Sequence, residues 1–271
     1  MDEFQSYLDG EFKSIASELW SHNANWWQEG FTEGADPEYR EQILPILGEL
    51  SGQAKRVLEI GTGEGQVLRY LERLAPRERL VGVDPTPEQI ERAVARGGPE
   101  LYLRAGAEGL PFGDACFDTV IACLVFEHID DLEVALGEVA RVLVDGGRFH
   151  FLLNHPLFQT PDSGWIDDQV FEEQYWRIGR YLEERHTVEE VEKDVFIPFV
   201  HRPLSRYLNA ARQASLWLEK MLEPAPPQGF LDLAPEYYQA RFVPRLLVLD
   251  FVREARTSSG SGGVRATLSA P

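Results

Sequence analysis

Between Arg56 and Leu153 the apolar positions alternate between two periods. RVLEI (56–60) is a short apolar run stopped by glycines, and GQVLRYLERLA (65–75) follows at helical spacing. LVGVD (80–84) reads as a second buried strand. TPEQIERAVARG (86–97) reads as a helix, with Thr86 as N-cap, Pro87 at its first position and Gly97 at its end. LYLRAG (101–106), DTVIAC (118–123) and GRFHFLL (147–153) are further strand patterns, and DLEVALGEVARVL (131–143) is a helix with one apolar face. Strands separated by helices predict a parallel sheet with right-handed crossovers, hence a doubly wound α/β domain.

The alternation stops after Leu153. Residues 154–202 hold Trp and Tyr clusters, scattered Pro and Gly, and an acidic run, EERHTVEEVEKD (183–194). The segment is too long for a simple loop and is predicted to contain its own strands. RPLSRYLNAARQAS (202–215) resumes as a helix, and LWLEKMLEP (216–224) and PRLLVLDFVR (244–253) read as late strands joined by a Pro-rich connection. Residues 1–50 read as helical and carry Trp20, Trp26 and Trp27. No internal repeat is found. The expected organisation is one domain over 1–255, with a helical cap (1–50), a lid insertion (154–202) and a disordered Ser/Gly-rich tail (256–271).

Composition narrows the function classes. The 271 residues are 44% hydrophobic and 26% charged, enough for a sizeable core. Lys and Arg number 26 against 45 Asp and Glu, a net charge of −19. A field of that sign disfavours nucleic acid and anionic membrane surfaces as partners. The only cysteines, Cys116 and Cys123, form neither a disulfide framework nor a metal-ligand pattern. The N-terminus lacks the basic-then-apolar order of a secretory leader, and no apolar run approaches the ~20 residues of a membrane helix. A cytoplasmic location is the expectation.

The most informative stretch is VLEIGTGEGQV (57–67), where a strand runs into Gly61, Gly63 and Gly65 before a helix. Glycines let a ligand approach the backbone, and a helix N-terminus offers free N–H groups. A dinucleotide fingerprint needs glycine at position 66, which is Gln66. Glu59 would repel a pyrophosphate but suits an ammonium group. Asp84 ends the next strand, 21 positions after Gly63, where an acid accepts hydrogen bonds from ribose hydroxyls. A ribose, a cationic amino-acid end and no phosphate together describe S-adenosylmethionine.

VLEIGTGEG, VGVD, AEGLPFGDACFDTVIACLVFEHI and ARVLVDGGRFHF occur in this order at matching spacing. With them the chain resembles the class I S-adenosylmethionine-dependent methyltransferases of the ubiquinone/menaquinone and small-molecule group. The resemblance is close over about 56–155 and weaker to about 253, where the late strands resemble the hairpin closing the family's sheet. It implies a seven-stranded, mostly parallel, Rossmann-like fold and methyl transfer to an oxygen, nitrogen or carbon of a small molecule. Glu59 with Gly61, Thr62, Gly63 and Gly65 would hold the methionine end, and Asp84 the ribose. Gly106 stands where the family usually has an acid for the adenine amino group. Adenine would then be read by the backbone of Gly106 and Ala107, with Glu108 a candidate to compensate, and Cys123 would offer its backbone. Each position has a plainer reading: a tight turn for the glycines, a strand-end cap for Asp84, a solvent-facing acid for Glu108, a small buried side chain for Cys123.

Methyl transfer needs alignment and water exclusion, and a base only if the nucleophile keeps its proton. Among the histidines, His22 and His186 sit in polar sequence and read as surface, and His150 as a strand residue. His128, in FEHIDD, reads as a structural tie between loop and helix start. His155 follows the fifth strand, whose carboxyl end faces the ligand crevice, and His201 precedes a helix that could bring it to the same cleft. These two are the candidate catalytic residues; the alternative for both is a hydrogen bond fixing the insertion. Trp165, Tyr175, Trp176 and Tyr181 would line a substrate pocket or form a small core of the insertion. No metal is assigned, because the acidic run lacks a ligand pattern. A small-molecule acceptor is the expected partner, and oligomeric state stays open. The competing readings are a nicotinamide-dependent oxidoreductase, opposed by Gln66 and Glu59, and a non-catalytic S-adenosylmethionine-binding protein.

Overall fold

A computed structural model describes residues 8–98 and 101–255; the tail expected over 256–271 lies outside the described residues. Helix α1 (Leu8–Phe31) is followed by a π-helical turn (Tyr39–Ile43) and α2 (Leu44–Leu50). Strands and helices then alternate: β1 (Arg56–Ile60), α3 (Gln66–Leu74), β2 (Arg79–Asp84), α4 (Pro87–Arg96), β3 (Leu101–Arg104), β4 (Phe117–Cys123), α5 (Leu132–Val142) and β5 (Leu143–Asn154). The insertion forms two antiparallel hairpins, β6 (Gly164–Asp168) with β7 (Glu173–Arg177), and β8 (Arg185–Glu192) with β9 (Val195–His201). Next come α6 (Leu204–Gln213), β10 (Leu216–Leu222), α7 (Gln228–Leu233) and β11 (Leu246–Arg253).

The central sheet has seven strands in the order β10-β11-β5-β4-β1-β2-β3. β1 to β5 are parallel, and β11 and β10 are antiparallel to their neighbours. This is the seven-stranded Rossmann-like methyltransferase architecture. Strand order reverses between β1 and β4, and such a switch point leaves a crevice at the carboxyl ends of the strands.

Period-two alternation divides the core between the two faces of the sheet. Leu58, Ile60, Val120, Ala122, Phe149 and Phe151 pack with Leu136 and Val139 of α5 and Ala211 of α6. Val57, Leu80, Ile121 and Leu152 pack with Leu68 and Leu71 of α3 and Leu47 of α2. Both faces are covered, so the strands read as apolar runs; each such buried side chain contributes ~1.5–3 kcal/mol. The same alternation sends the side chain of Glu59 to the face of Val57, at the end where the sheet meets the glycine turn.

One boundary and one capping contact differ from the sequence expectation. β5 begins at Leu143, which pairs with Phe117 before a register shift near Gly146, whose φ is +74°. Thr86 stands at the N-cap of α4, but its side chain makes no capping bond. Its amide instead donates to Asp84 at 2.9 Å, so the acid before the helix supplies the local polar contact.

α1 bridges the insertion and the core. Asn23 Nδ2 donates to the Phe196 carbonyl at 2.8 Å and Trp26 Nε1 to Glu192 at 2.6 Å. Further along, Gln28 Nε2 donates to Gln89 of α4 at 2.9 Å. Phe12 and Ala16 bury themselves against Val200 of β9. Among the described residues no helix is long and apolar enough to cross a membrane.

Candidate active site

The glycine turn leaves β1 with φ of +67° at Gly61, +54° at Gly63 and +83° at Gly65, a region that favours glycine. A Cβ on Gly61 would overlap Val125 of the turn after β4, and one on Gly65 would overlap the Tyr102 hydroxyl. Gly61→Ala is therefore expected to cost about 1–3 kcal/mol for the dihedral alone, with the Val125 overlap added. Thermal unfolding measures the loss, and an unchanged midpoint would refute this account of the turn.

Two buried carboxylates brace the turn. Glu59 Oε2 accepts from Thr62 Oγ1 at 2.6 Å. Burial pushes Glu59 up to about 8, with the Thr62 bond opposing. Asp84 Oδ2 accepts from the Gly63 amide at 3.0 Å and Oδ1 from the Thr86 amide at 2.9 Å. Burial raises Asp84 too, against the lowering by these bonds. Asp84 thus joins the glycine turn to the start of α4. Glu64, inside the turn, is buried and paired with Arg69 and Arg96.

These groups open on a cleft of about 500 Å³ at the carboxyl ends of β1, β2 and β4. Glu59, Gly61, Thr62 and Gly63 line it, with Asp84 on one wall. Gly106, Ala107, Glu108 and Cys123 line the remainder of the expected cofactor surface. A Cβ on Gly106 would come within 3.3 Å of Glu108 Oε2, so the Glu108 carboxylate lies beside the position where the family carries its acid. Gly65 is not among the lining residues; its constraint is contact with Tyr102 beneath the turn. Burial drives the Cys123 thiol far up, and Sγ lies 3.9 Å from the Tyr39 hydroxyl, so this cysteine is a packing residue.

Part of the lining is apolar. Phe12, Ala16 and Trp20 come from α1, and Val125, His128 and Ile129 from the segment after β4. His128 belongs to a 3-10 turn (Phe126–His128) and meets Trp20 edge-on at 4.9 Å between ring centroids. Its Nδ1 lies 2.6 Å from the Pro198 carbonyl of β9, and burial pushes the ring down to about 4. Among the described residues Lys13 is the only Lys or Arg in the lining, and it pairs with Glu108 at 3.1 Å. With Glu59, Glu64, Asp84, Glu108 and Asp130 also present, the cleft is an acidic site.

His155 and His201 lie elsewhere. His155 Nε2 is 2.8 Å from Glu223 Oε1, and Nδ1 accepts from the Leu157 amide at 3.1 Å. His201 Nε2 donates to the Tyr181 carbonyl at 2.9 Å, and burial lowers its basicity. Both are buried and neither lines the cleft. The reason is topological: β5 sits between β4 and β11, so the chain leaving it passes over β11, away from the switch point. His150 is a strand residue, 3.0 Å from Asp250, and His22 is exposed. His186 is half-buried and holds Asp130 at 2.7 Å, rather than standing free at the surface.

Trp165 and Trp176 line a second cavity of about 510 Å³ between the β6–β7 hairpin and the α7 region; Tyr175 and Tyr181 do not. Trp176 stacks on Phe158 at 4.3 Å, and Trp165 on Tyr237 at 5.8 Å. Among the described residues no cluster of His, Cys, Asp or Glu is placed to hold a metal ion.

Residues 58–151 match the family described as "Methyltransferase domain". A demethylmenaquinone methyltransferase of Thermus thermophilus is 38% identical over 135 residues, 48% of this chain and 59% of that protein. The chain thus spans roughly half to three fifths of the curated relatives it matches first. A crystal structure of an S-adenosylmethionine-dependent methyltransferase from Mesorhizobium loti shares the fold with a TM-score of 0.66 at 24% identity, covering 77% of this chain and 96% of that one. One from Listeria monocytogenes gives 0.67 at 20% identity, covering 80% and 97%. Residues 58–151 thus match a methyltransferase domain, and the sheet around them has the fold of S-adenosylmethionine-dependent methyltransferases.

Proposed function

We propose that this chain transfers a methyl group from S-adenosylmethionine to an oxygen, nitrogen or carbon of a small, uncharged or cationic molecule. The observation that carries the reading is the pair of buried carboxylates, Glu59 and Asp84, each bonded to the glycine turn at the edge of one acidic cleft. That set of acceptors fits a cationic nucleoside, whose ammonium favours the ionised form of Glu59, and offers a pyrophosphate no donor side chain, which argues against the nicotinamide alternative. When bound, the cofactor supplies an electrophilic methyl carbon.

The residues divide the work along the cleft. Glu59 would receive the ammonium end beside Thr62. Asp84 keeps acceptor capacity for ribose hydroxyls beyond its two amide bonds. Gly106 and Ala107 would present backbone to adenine, with Glu108 beside them. Trp20, Phe12 and Ala16 exclude water from the acceptor end. In this reading residues 1–50 cap the cleft, 154–202 contribute to acceptor choice, and residues 1–255 work as one unit in the cytoplasm. His155 and His201 are then fasteners of the insertion rather than groups meeting the acceptor.

Calorimetry with S-adenosylhomocysteine and, separately, NAD tests the reading. We expect binding of the first and none of the second; the reverse result overturns it. The same titration carries a pH signature. Glu59 keeps its proton in the empty cleft near pH 7, because its folded value of about 8 lies above the ordinary one. The empty protein therefore holds that stability at low pH and loses it as pH rises through about 8. A bound ammonium favours the ionised form, so binding at pH 7 is expected to release close to one proton. Affinity should rise with pH through the same range. Heats measured in buffers of different ionisation enthalpy count the proton; no release would remove Glu59 from the ammonium site.

A further inference from the structure

We propose that His128 is the residue that meets the acceptor, through Nε2, as its hydrogen-bond partner and final proton acceptor. The proposal rests on the methyltransferase reading and assigns a group to its acceptor end. The first support is the bond at Nδ1. A carbonyl oxygen can only accept, so the 2.6 Å contact with Pro198 O places the proton on Nδ1. Nε2 is left with a lone pair, and it makes no hydrogen bond among the described residues. The ring that carries it lines the cleft beside Trp20.

The second support is the bracing of the turn that carries the ring. Arg202, 2% exposed, donates from Nη1 to the Phe126 carbonyl at 3.3 Å and from Nη2 to the Asp130 carbonyl at 2.6 Å. Glu127 Oε1 accepts from the Asn154 amide at 3.1 Å and from Asn154 Nδ2 at 2.9 Å. The turn is thus held on both sides of His128, and the ring itself is held between Trp20 and Phe199. Such support is what a positioned group needs and what a surface histidine lacks.

The chemistry balances as follows. The acceptor atom forms its bond to the methyl carbon while the carbon–sulfur pair stays with sulfur. An O–H acceptor thereby becomes an oxonium, which is strongly acidic, and its proton passes to Nε2 and then to water. A methylated amine becomes an ammonium, too weak an acid to protonate this ring, and gives its proton to water directly. The ring's environment suits this late transfer. Its close neighbours are Trp20, Phe199 and the Pro198 carbonyl, none of them charged, and burial keeps the imidazole neutral down to about pH 4. It accepts a proton from an oxonium-like product without taking one from water beforehand.

Nitrogen-15 NMR of the histidine-labelled protein tests the tautomer without any substrate. We expect His128 protonated at Nδ1 and bare at Nε2, with no titration between pH 5 and 8. A proton on Nε2, or titration near the ordinary value, overturns the proposal. The activity arm uses His128→Asn, whose amide can still donate toward Pro198 while Nε2 is deleted. The probe is a small-molecule cell extract with methyl-labelled cofactor. Label transfer is expected to fall ~100-fold or more, with S-adenosylhomocysteine affinity within about threefold of the parent. Equal transfer by variant and parent overturns the role. Loss of cofactor binding by the parent itself would instead fail the underlying methyltransferase reading.

Discussion

Asp84→Ala is expected to weaken S-adenosylhomocysteine binding by about 100-fold or more. Hydrogen bonds to a charged acceptor are worth about 1.5–3 kcal/mol each, and the carboxylate stands to lose two ribose partners. The substitution also strips the Gly63 and Thr86 amides of their acceptor, so the turn loses its link to α4. Asp84→Asn separates the two effects. It keeps one oxygen for an amide but offers a donor where a ribose hydroxyl must donate, so affinity should fall while the melting temperature moves little. Burial raises Asp84 above the ordinary carboxylate range. Affinity should accordingly drop on acidification through that raised value, as the protonated acid stops accepting. Isothermal titration across pH measures both, and an Asp84→Ala protein binding as tightly as the parent would remove the ribose assignment.

The second large effect belongs to stability. Arg202→Ala is expected to destabilise the fold by about 3 kcal/mol, since breaking a buried charged pair costs about 3–5 kcal/mol and Glu184 keeps some solvent. The buried carbonyl of Phe126 and the carbonyl of Asp130 lose their donor in the same step. Lysine should recover less than half of the loss, because a single ammonium cannot reproduce the planar fork that reaches Glu184 and both carbonyls. Chemical denaturation of the two variants gives the comparison. A neutral Arg202→Ala would mean that the segment after β4 holds its shape without this side chain.

The doubly wound core was legible because its strands are buried on both faces and its helices carry one-sided apolar faces. VLEIGTGEG, VGVD and the segment ending in Cys123 carry several residues of the cleft lining for the same reason: local backbone geometry fixes where those side chains go. Gly65 read as a ligand contact because spacing cannot distinguish a glycine that yields to a ligand from one that yields to Tyr102. The acceptor end was harder. His155 follows a parallel strand, and that rule brings a residue to the correct edge of the sheet but not to the correct strand pair. His128 was read as a tie, which its Nδ1 is; that the same ring also lines a cleft depends on α1 arriving from more than 100 positions earlier. Long-range closures of this kind leave no local period to read.

The layout of the sheet has a consequence for how such a chain can change. In the proposed reading the cofactor meets β1 to β4 and their turns, whereas α1 closes over the cleft from a segment earlier in the chain. A substitution on the cleft face of α1 can therefore reshape the acceptor's surroundings without altering the sequence of the glycine turn. Residues 58–151, which match the methyltransferase family model, do not include that helix.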